Sequence, residues 1–314
     1  MSSYDIIGDI HGEADALTRL LDALGYIQIN GVYTHSERQA LFLGDFIDRG
    51  PGQRDVLGIV RPMVDNGTAL AVMGNHEFNA IAYATPTRDT YLRLHTDKNR
   101  RQHAAFLDAF ENEDEDYQET IGWFKTLPLW LDLPDLRVVH ACWDATLINR
   151  LIEDYDGAWL SDALLVRSSM RGTWEYEAIE TLLKGKEIEL PCGHRYHDKD
   201  GVERHAIRVK WWQAASTYRD AYIGPPLAES HIPDDPISGD HLIEYACHEK
   251  PVFIGHYWLS GQPAPLAQNI ACVDYSVAKP GGVLAAYRFD GESELSEQKF
   301  VTVEQTPTRT DKSI

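Results

Sequence analysis

The chain has 314 residues, 43% of them hydrophobic and 25% charged, the balance of an ordinary soluble globular protein, which excludes a fully disordered chain. Lys and Arg number 29 against 49 Asp and Glu, a formal net charge of −20, so duplex nucleic acid and an anionic membrane surface are poor partners. No stretch approaches the ~20 apolar residues of a membrane span, and the opening MSSYDIIGD offers no basic or long apolar region, so no secretory signal is expected.

Residues 4–8 (YDIIG) read as a buried strand. Leu17, Leu20, Leu21 and Leu24 follow at helix spacing, with Gly25 placed to end the helix. Residues 40–44 (ALFLG) are the next strand, and Val56, Ile59, Val60 and Met63 make a second helical stripe with Pro62 inside it. Residues 68–74 (TALAVMG) are strand-like again, so strand, helix, strand, helix, strand predicts an α/β layered fold. Residues 99–127 look helical, with the acidic run 111–119 as a solvated face or loop. Strands are expected at 136–140, 251–256, 269–275 and 281–289. Residues 157–250 read as a long irregular insertion rich in Trp, Tyr, Pro and Asp, and 301–314 as a loose polar tail. The domain is therefore drawn over 1–300. Cys142, Cys192, Cys247 and Cys272 form no C-x-x-C pair and no disulfide framework, which points to free thiols in a reducing cytoplasm.

The chemistry collects where the strands stop. The first ends in Gly8-Asp9-Ile10-His11-Gly12, the second in Gly44-Asp45-Phe46-Ile47-Asp48-Arg49-Gly50, and the third in Gly74-Asn75-His76-Glu77. Two later strands end in His140 and in Gly255-His256. Open α/β sheets bind ligands at the carboxyl ends of their strands, so these groups could meet at one rim. Carboxylates, an Asn carbonyl and imidazoles form a mixed oxygen and nitrogen set that suits Mn²⁺, Fe or Zn²⁺. Six ligands are too many for one tetrahedral ion. With one carboxylate shared, they suit a pair of ions ~3.5–4 Å apart.

In this order, GD-x-H-G, GD-x-x-D-R-G, G-N-H-E and two separated His residues resemble the metallophosphoesterases of the phosphoprotein phosphatase type, in a bacterial branch. The resemblance runs from Gly8 to His256 and fades between 157 and 250. It implies a calcineurin-like α/β fold, two β layers flanked by helices in an α/β/β/α sandwich. It also implies that Asp9 and His11 hold one metal, that Asp45 bridges, and that Asn75, His140 and His256 hold the second. His76 would be the general acid, Asp48 its partner, and Arg49 a phosphate ligand. His140 is followed by Ala141-Cys142, where many members have a glycine.

Two divalent ions, Mn²⁺ first and Fe or Zn²⁺ next, would neutralise a phosphoester and lower the pKa of a bridging water towards ~7, so that hydroxide attacks phosphorus in line. No Cys or Ser nucleophile is needed. Members usually supply a second phosphate-binding Arg, here Arg167, Arg171, Arg208 or Arg219, with Arg208 beside Trp211 and Trp212 preferred. Trp174, Trp211, Trp212, Tyr218 and Tyr222 either fill a small subdomain core or cap the metals. The absence of G-x-x-x-x-G-K-[ST] and G-x-G-x-x-G leaves nucleotide binding of those kinds unsupported.

The expected substrate is a phosphorylated protein, on Ser/Thr or Tyr, or another small phosphomonoester. The alternative is a symmetrical bis(5′-nucleosyl)-tetraphosphatase, with a 2′,3′-cyclic phosphodiesterase further down. The bulk charge sets aryl phosphates and phosphopeptides ahead of diadenosine tetraphosphate. A catalytically silent metal-binding module is the rival from another class, and it would require a broken ligand set. Oligomeric state is not assigned.

Overall fold

The computed structural model describes residues 3–305, apart from 112, 192, 198–202, 225 and 240. Strand Ser3–Ile7 (β1) is buried on both faces, with Tyr4 and Ile6 on one and Ile7 on the other, so it can only lie inside a sheet. Helix Ala14–Leu24 (α1) buries Leu17, Leu20, Leu21 and Leu24 and stops at Gly25 in the left-handed conformation. Strand Arg38–Phe42 (β2), helix Gln53–Asp65 (α2) and strand Ala69–Ala71 (β3) follow, then helix Asn75–Ala84 (α3). β1, β2 and β3 are parallel neighbours, as the alternation of strands and helices predicts.

A second sheet takes Trp130–Asp132 (β4), Arg137–Val139 (β5), Val252–Ile254 (β6) and Ile270–Cys272 (β7), in the order β7-β6-β5-β4. The chain then returns to the first sheet with Asp274–Tyr275 (β8), Val283–Phe289 (β9) and Phe300–Glu304 (β10). The first sheet runs β8-β9-β1-β2-β3, with β10 paired to β9.

Side-chain alternation explains the layers. Ile6, Leu41, Tyr287 and Phe289 from the first sheet share a buried cluster with Val138, Phe253 and Ala271 from the second. Ile7, Ala40 and Phe42 face the other way, into the core built with Leu17, Leu20, Val56 and Val60 of the helices. Val139, Val252 and Ile254 join that core with Leu164, Leu165, Ile179 and Leu182, and Ala141 N–H donates to Leu182 O. The result is the two-layer β core flanked by helices.

Several expectations change. The run 269–275 is two strands in different sheets, because the chain crosses from one layer to the other at Val273. Residues 99–127 hold three short helices, Asp97–Gln102, Ala104–Ala109 and Asp114–Phe124. The acidic run is exposed, and it pairs Glu113 and Asp116 with Arg54 and Glu119 with Arg61. Residues 157–250 are not irregular throughout: helices Asp162–Ser168 and Trp174–Lys184 belong to the main core. Only further on does a separate small core form, around Leu190, Ile207, Val209, Tyr222 and Ile232. The start of the supposed tail, 301–304, completes β10, because Val301 and Val303 pack on the core; residues 306–314 lie outside the described residues. Cys142 and Cys272 are buried free thiols and Cys247 is an exposed one, while Cys192 lies outside the described residues. Among the described residues no helix is long and apolar enough to cross a membrane.

At the crossing, a Cβ on Gly8 would lie 2.0 Å from Val273 O, a backbone atom with nowhere to go. Gly8→Ala is therefore expected to lower unfolding free energy by about 1–3 kcal/mol. Gly58→Ala, in α2 with nothing within 4 Å, should raise it by about 0.5–1 kcal/mol. Urea denaturation of the two variants checks the contrast.

Candidate metal centre

Five strand ends meet at one rim. Asp9 and His11 follow β1, Asp45, Asp48 and Arg49 follow β2, Asn75 and His76 open α3 after β3, and His140 and His256 follow β5 and β6. The chain turns sharply there: His11, Asp45, Asp48, Arg49 and His256 have φ of 48°, 51°, 69°, 72° and 71°. Side-chain-bearing residues avoid this region, at a cost of about 1–3 kcal/mol each, and such strain clusters at functional sites.

Two residues without an assigned role from sequence hold the turns. The buried Glu77 carboxylate accepts from Asp45 N–H (2.8 Å), Phe46 N–H (2.9 Å) and Gly74 N–H (2.9 Å). It thereby ties the β2 end to the start of α3. A Cβ on Gly74 would lie 2.3 Å from Asp45 Oδ1, so this approach needs glycine. Gln53 accepts from Asp48 N–H and donates to Gly50 O.

Asp45 is the centre. Its Oδ2 lies 3.4 Å from His140 Nε2, 3.6 Å from His11 Nε2 and 3.9 Å from His76 Nε2. Two groups of metal-capable atoms share it: His11–Asp45–His76 and Asp45–His140–His256. Asn75 Oδ1 sits 2.7 Å from His256 Nδ1 and 3.3 Å from His140 Nε2. His11 and His140 each donate Nδ1–H to a main-chain carbonyl, Ile47 O and Leu43 O, which aims Nε2 of each ring at Asp45.

The donors fit a divalent ion on the structure's own terms. Asp9 Oδ1, His11 Nε2 and His256 Nε2 are buried without a hydrogen-bond partner, and native proteins rarely leave such atoms unsatisfied. Asp9 belongs to neither three-residue group, but its Oδ2 accepts His256 N–H at 3.0 Å, so it adjoins the same centre.

The electrostatics agree. Burial pushes Asp45 up, yet His140, His76 and His11 outweigh burial and hold it well below the usual carboxylate range. Burial, then Asp274, raises Asp9 well above its ordinary value. Burial and His76 push His11 down to about 3. Burial would lower His140, but Asp45 and Asp9 push it up to about 10. Burial and Asp45 raise Glu77. Buried carboxylates in such company call for positive charge.

Beside this centre lies an acid–base pair. His76 Nδ1 is 2.5 Å from Asp48 Oδ2, and His76 lies above its ordinary value because Asp45 and Asp48 outweigh burial. Asp48 Oδ1 accepts from a second imidazole, His103 Nδ1, at 2.9 Å. His103 carries no strand-end signal, and sequence reasoning missed it. The other missed groups are Asp274, which accepts from Trp258 N–H (2.6 Å) and Ser276 N–H (2.9 Å), and Trp258 itself. The Trp258 ring lies 5.2 Å from the His11 ring and carries Arg49 at 3.9 Å and Lys279 at 4.1 Å. Asp274 lies two residues beyond β7, as Asp9 lies two beyond β1, and could have been found by the same strand-end signal.

Of the four Arg candidates, Arg208 lines a cleft of about 420 Å³ together with Arg49, Lys279, Trp258 and His256. Its Nε is buried and unpartnered. Arg167 pairs with Glu175, and Arg219 bonds Ile232 O and Asp234. Of the aromatics, Trp211 is fully buried, donating to Ala141 O and Tyr257 OH, and Tyr222 fills the small core.

A family model of the calcineurin-like phosphoesterases matches residues 3–206. The chain belongs to that family. Over 145 residues it is 35% identical to an asymmetrical bis(5′-nucleosyl)-tetraphosphatase of Halalkalibacterium halodurans, covering 44% of this chain and 56% of that protein. Over 143 residues it is 29% identical to a symmetrical bis(5′-nucleosyl)-tetraphosphatase of Psychromonas ingrahamii, covering 45% and 44%. The chain thus matches about half the length of these curated relatives. A protein serine/threonine phosphatase from Saccharomyces cerevisiae shares the fold, with a TM-score of 0.53 at 14% identity over 98% of this chain and 82% of that one.

For a metal centre of this kind, stripping divalent ions with EDTA is expected to lower Tm by more than about 5 °C, because the buried carboxylates would lose their counter-charge. Added Mn²⁺ should restore it. Elemental analysis should find both ions depleted in Asp45→Asn and one in Asn75→Ala. An EDTA-insensitive Tm with no transition metal in the protein would remove the metal reading.

Proposed function

We propose that the protein hydrolyses phosphate esters with two divalent ions, held by Asp9, His11, Asp45, Asn75, His140 and His256. The observation that carries this reading is the shared Asp45, with the His76–Asp48 pair alongside it. When bound, such ions, Mn²⁺ first and Fe or Zn²⁺ next, supply charge neutralisation and a water of lowered pKa. The chain's own groups do the rest. Arg49, held on Trp258, faces the site and binds phosphate oxygens where charge builds. Asp48 fixes the His76 tautomer by accepting Nδ1–H, so His76 Nε2–H gives its proton to the leaving oxygen. Burial raises both Cys142 and Cys272 well above the ordinary thiol range, which supports hydrolysis without a thiol nucleophile. Free thiols also support a cytoplasmic setting.

Phosphoproteins and other phosphomonoesters are one substrate class for this site. A specific observation favours the second, a dinucleoside tetraphosphate. In a chain of net charge −20, the cleft beside the site is lined by Arg49, Arg208 and Lys279 and, among the described residues, by no Asp or Glu, although Glu187 pairs with Arg208. Bulk charge argues against polyanions, but the field inside a cleft is set by its own walls. A volume of about 420 Å³ has room for more than one phosphate. The tetraphosphatase names of the two relatives point the same way.

Two measurements test this. His76→Asn should cost about 10²–10⁴-fold in kcat on an alkyl phosphate and far less on a nitrophenyl ester, with metal content unchanged. Equal losses, or lost metal, would make His76 a ligand. Lys279→Met should lower kcat/KM for diadenosine tetraphosphate about tenfold, the scale of one charge-assisted contact, and spare phenyl phosphate. Equal effects on both, with phosphopeptides turned over faster than the dinucleotide, would favour the phosphoprotein class.

A further inference from the structure

His103 is a buried histidine that the reaction as derived above leaves without a task. It sits between helices Asp97–Gln102 and Ala104–Ala109, and it is 5% exposed. Tyr83 and Phe106 pack on its ring, at centroid distances of 5.5 and 4.9 Å, and Phe106 is fully buried. Its orientation is therefore set by core packing. That packing aims Nδ1 at Asp48 Oδ1, 2.9 Å away, while Asp48 Oδ2 takes His76 Nδ1. Among the described residues each Asp48 carboxylate oxygen thus has one imidazole partner. An ionised carboxylate only accepts, so both Nδ1 atoms carry their protons.

We propose that His103 is a positioning residue for the general acid: its Nδ1–H pins the Asp48 carboxylate so that the other oxygen holds His76 in the proton-donating tautomer and orientation. This rests on His76 acting as the acid. Without the His103 donor, Asp48 Oδ1 is a buried acceptor left unpaired, and the carboxylate can rotate about its last bond to seek another partner. His76 then loses a fixed anchor while the metal ligands keep theirs. Its loss should therefore be felt most where the leaving oxygen most needs a proton.

The test uses full-length protein with Mn²⁺ and the variants His103→Leu and His103→Asn. Asn places an amide donor near the position of Nδ1, and Leu fills space without one. His103→Leu is expected to lose about tenfold more kcat on an alkyl phosphate than on a nitrophenyl ester, the scale of a lost supporting hydrogen bond. Metal content should not change, and His103→Asn should recover most of the loss. Combined with Asp48→Asn, the Leu variant should add nothing, because the two act through one chain. The readout independent of turnover is the low-field Nδ1–H proton of His76, identified by its absence in His76→Asn. It should move or broaden in His103→Leu and persist in His103→Asn. Equal losses on both substrates, additivity with Asp48→Asn, or an unmoved His76 proton would each overturn the role. Wild-type protein with no metal-dependent turnover would instead defeat the functional reading, and the proton resonance would still decide whether His103 positions His76.

Discussion

The Asp45 carboxylate is 1% exposed, and around it lie Asp9, Asp48, Glu77 and Asp274, each 2% exposed or less. Buried carboxylates are costly unless their oxygens are matched. The surrounding structure is arranged to match them. Glu77 spends its oxygens on main-chain N–H groups of Asp45, Phe46 and Gly74. Asp274 takes Trp258 and Ser276 N–H, and Asp48 takes two imidazoles. Among the described residues Asp9 Oδ1 stays unmatched, as do the Nε2 atoms of His11 and His256. The acidic groups therefore divide into those whose oxygens are matched within the rim and Asp9, which keeps one oxygen without a protein partner.

That division explains the backbone. Carboxylates and imidazoles converge from five strand ends only if the chain leaves each strand at a steep angle. The left-handed residues His11, Asp45, Asp48, Arg49 and His256 provide the angle. Their strain is sustained because both ends of each turn are clamped. His11 and Gly12 N–H donate to Asp45 O and Phe46 O, Gly50 N–H donates to His11 O, and Gly255 N–H donates to His140 O. The two sheets add the rest, since metal-capable side chains from the first sheet and from the second can face each other only while the layers pack through Ile6, Leu41, Val138 and Phe253.

Much of this was legible in the sequence, because local rules operate where the motifs lie. Short apolar runs and helical patterns located β1, α1, β2, α2 and β3, and the glycine-flanked Asp, Asn and His residues marked their ends. What escaped reading depends on distant contacts. Nothing in NIACVDY says that the chain changes sheets at Val273, since both halves are equally buried. His103 follows a helix of polar residues, and its partner Asp48 is 55 positions away. Val301 and Val303 alternate with polar residues as an edge strand does, but their short run at the chain's end looked like a tail.

The cationic cleft differs in kind from the metal rim. Its charges come from three distant segments: Arg49 from the β2 turn, Arg208 from the short hairpin Glu187–Glu189 with Ala206–Arg208, and Lys279 from the β8–β9 loop. Trp258 joins two of them, because its ring carries both Arg49 and Lys279 while its main chain is held by Asp274. The indole also lies against the His11 ring. One aromatic side chain thus links the metal-capable rim to the cationic wall of the cleft. Arg208 stands apart from this platform, on a hairpin outside the two sheets, with Glu187 as its ion-pair partner. The wall therefore takes Arg49 and Lys279 from loops of the first sheet and Arg208 from an appended element. That hairpin is joined to the rest of the cleft wall at Ile223, whose N–H donates to Arg208 O, so the position of the Arg208 charge is set by contacts separate from those that shape the rim.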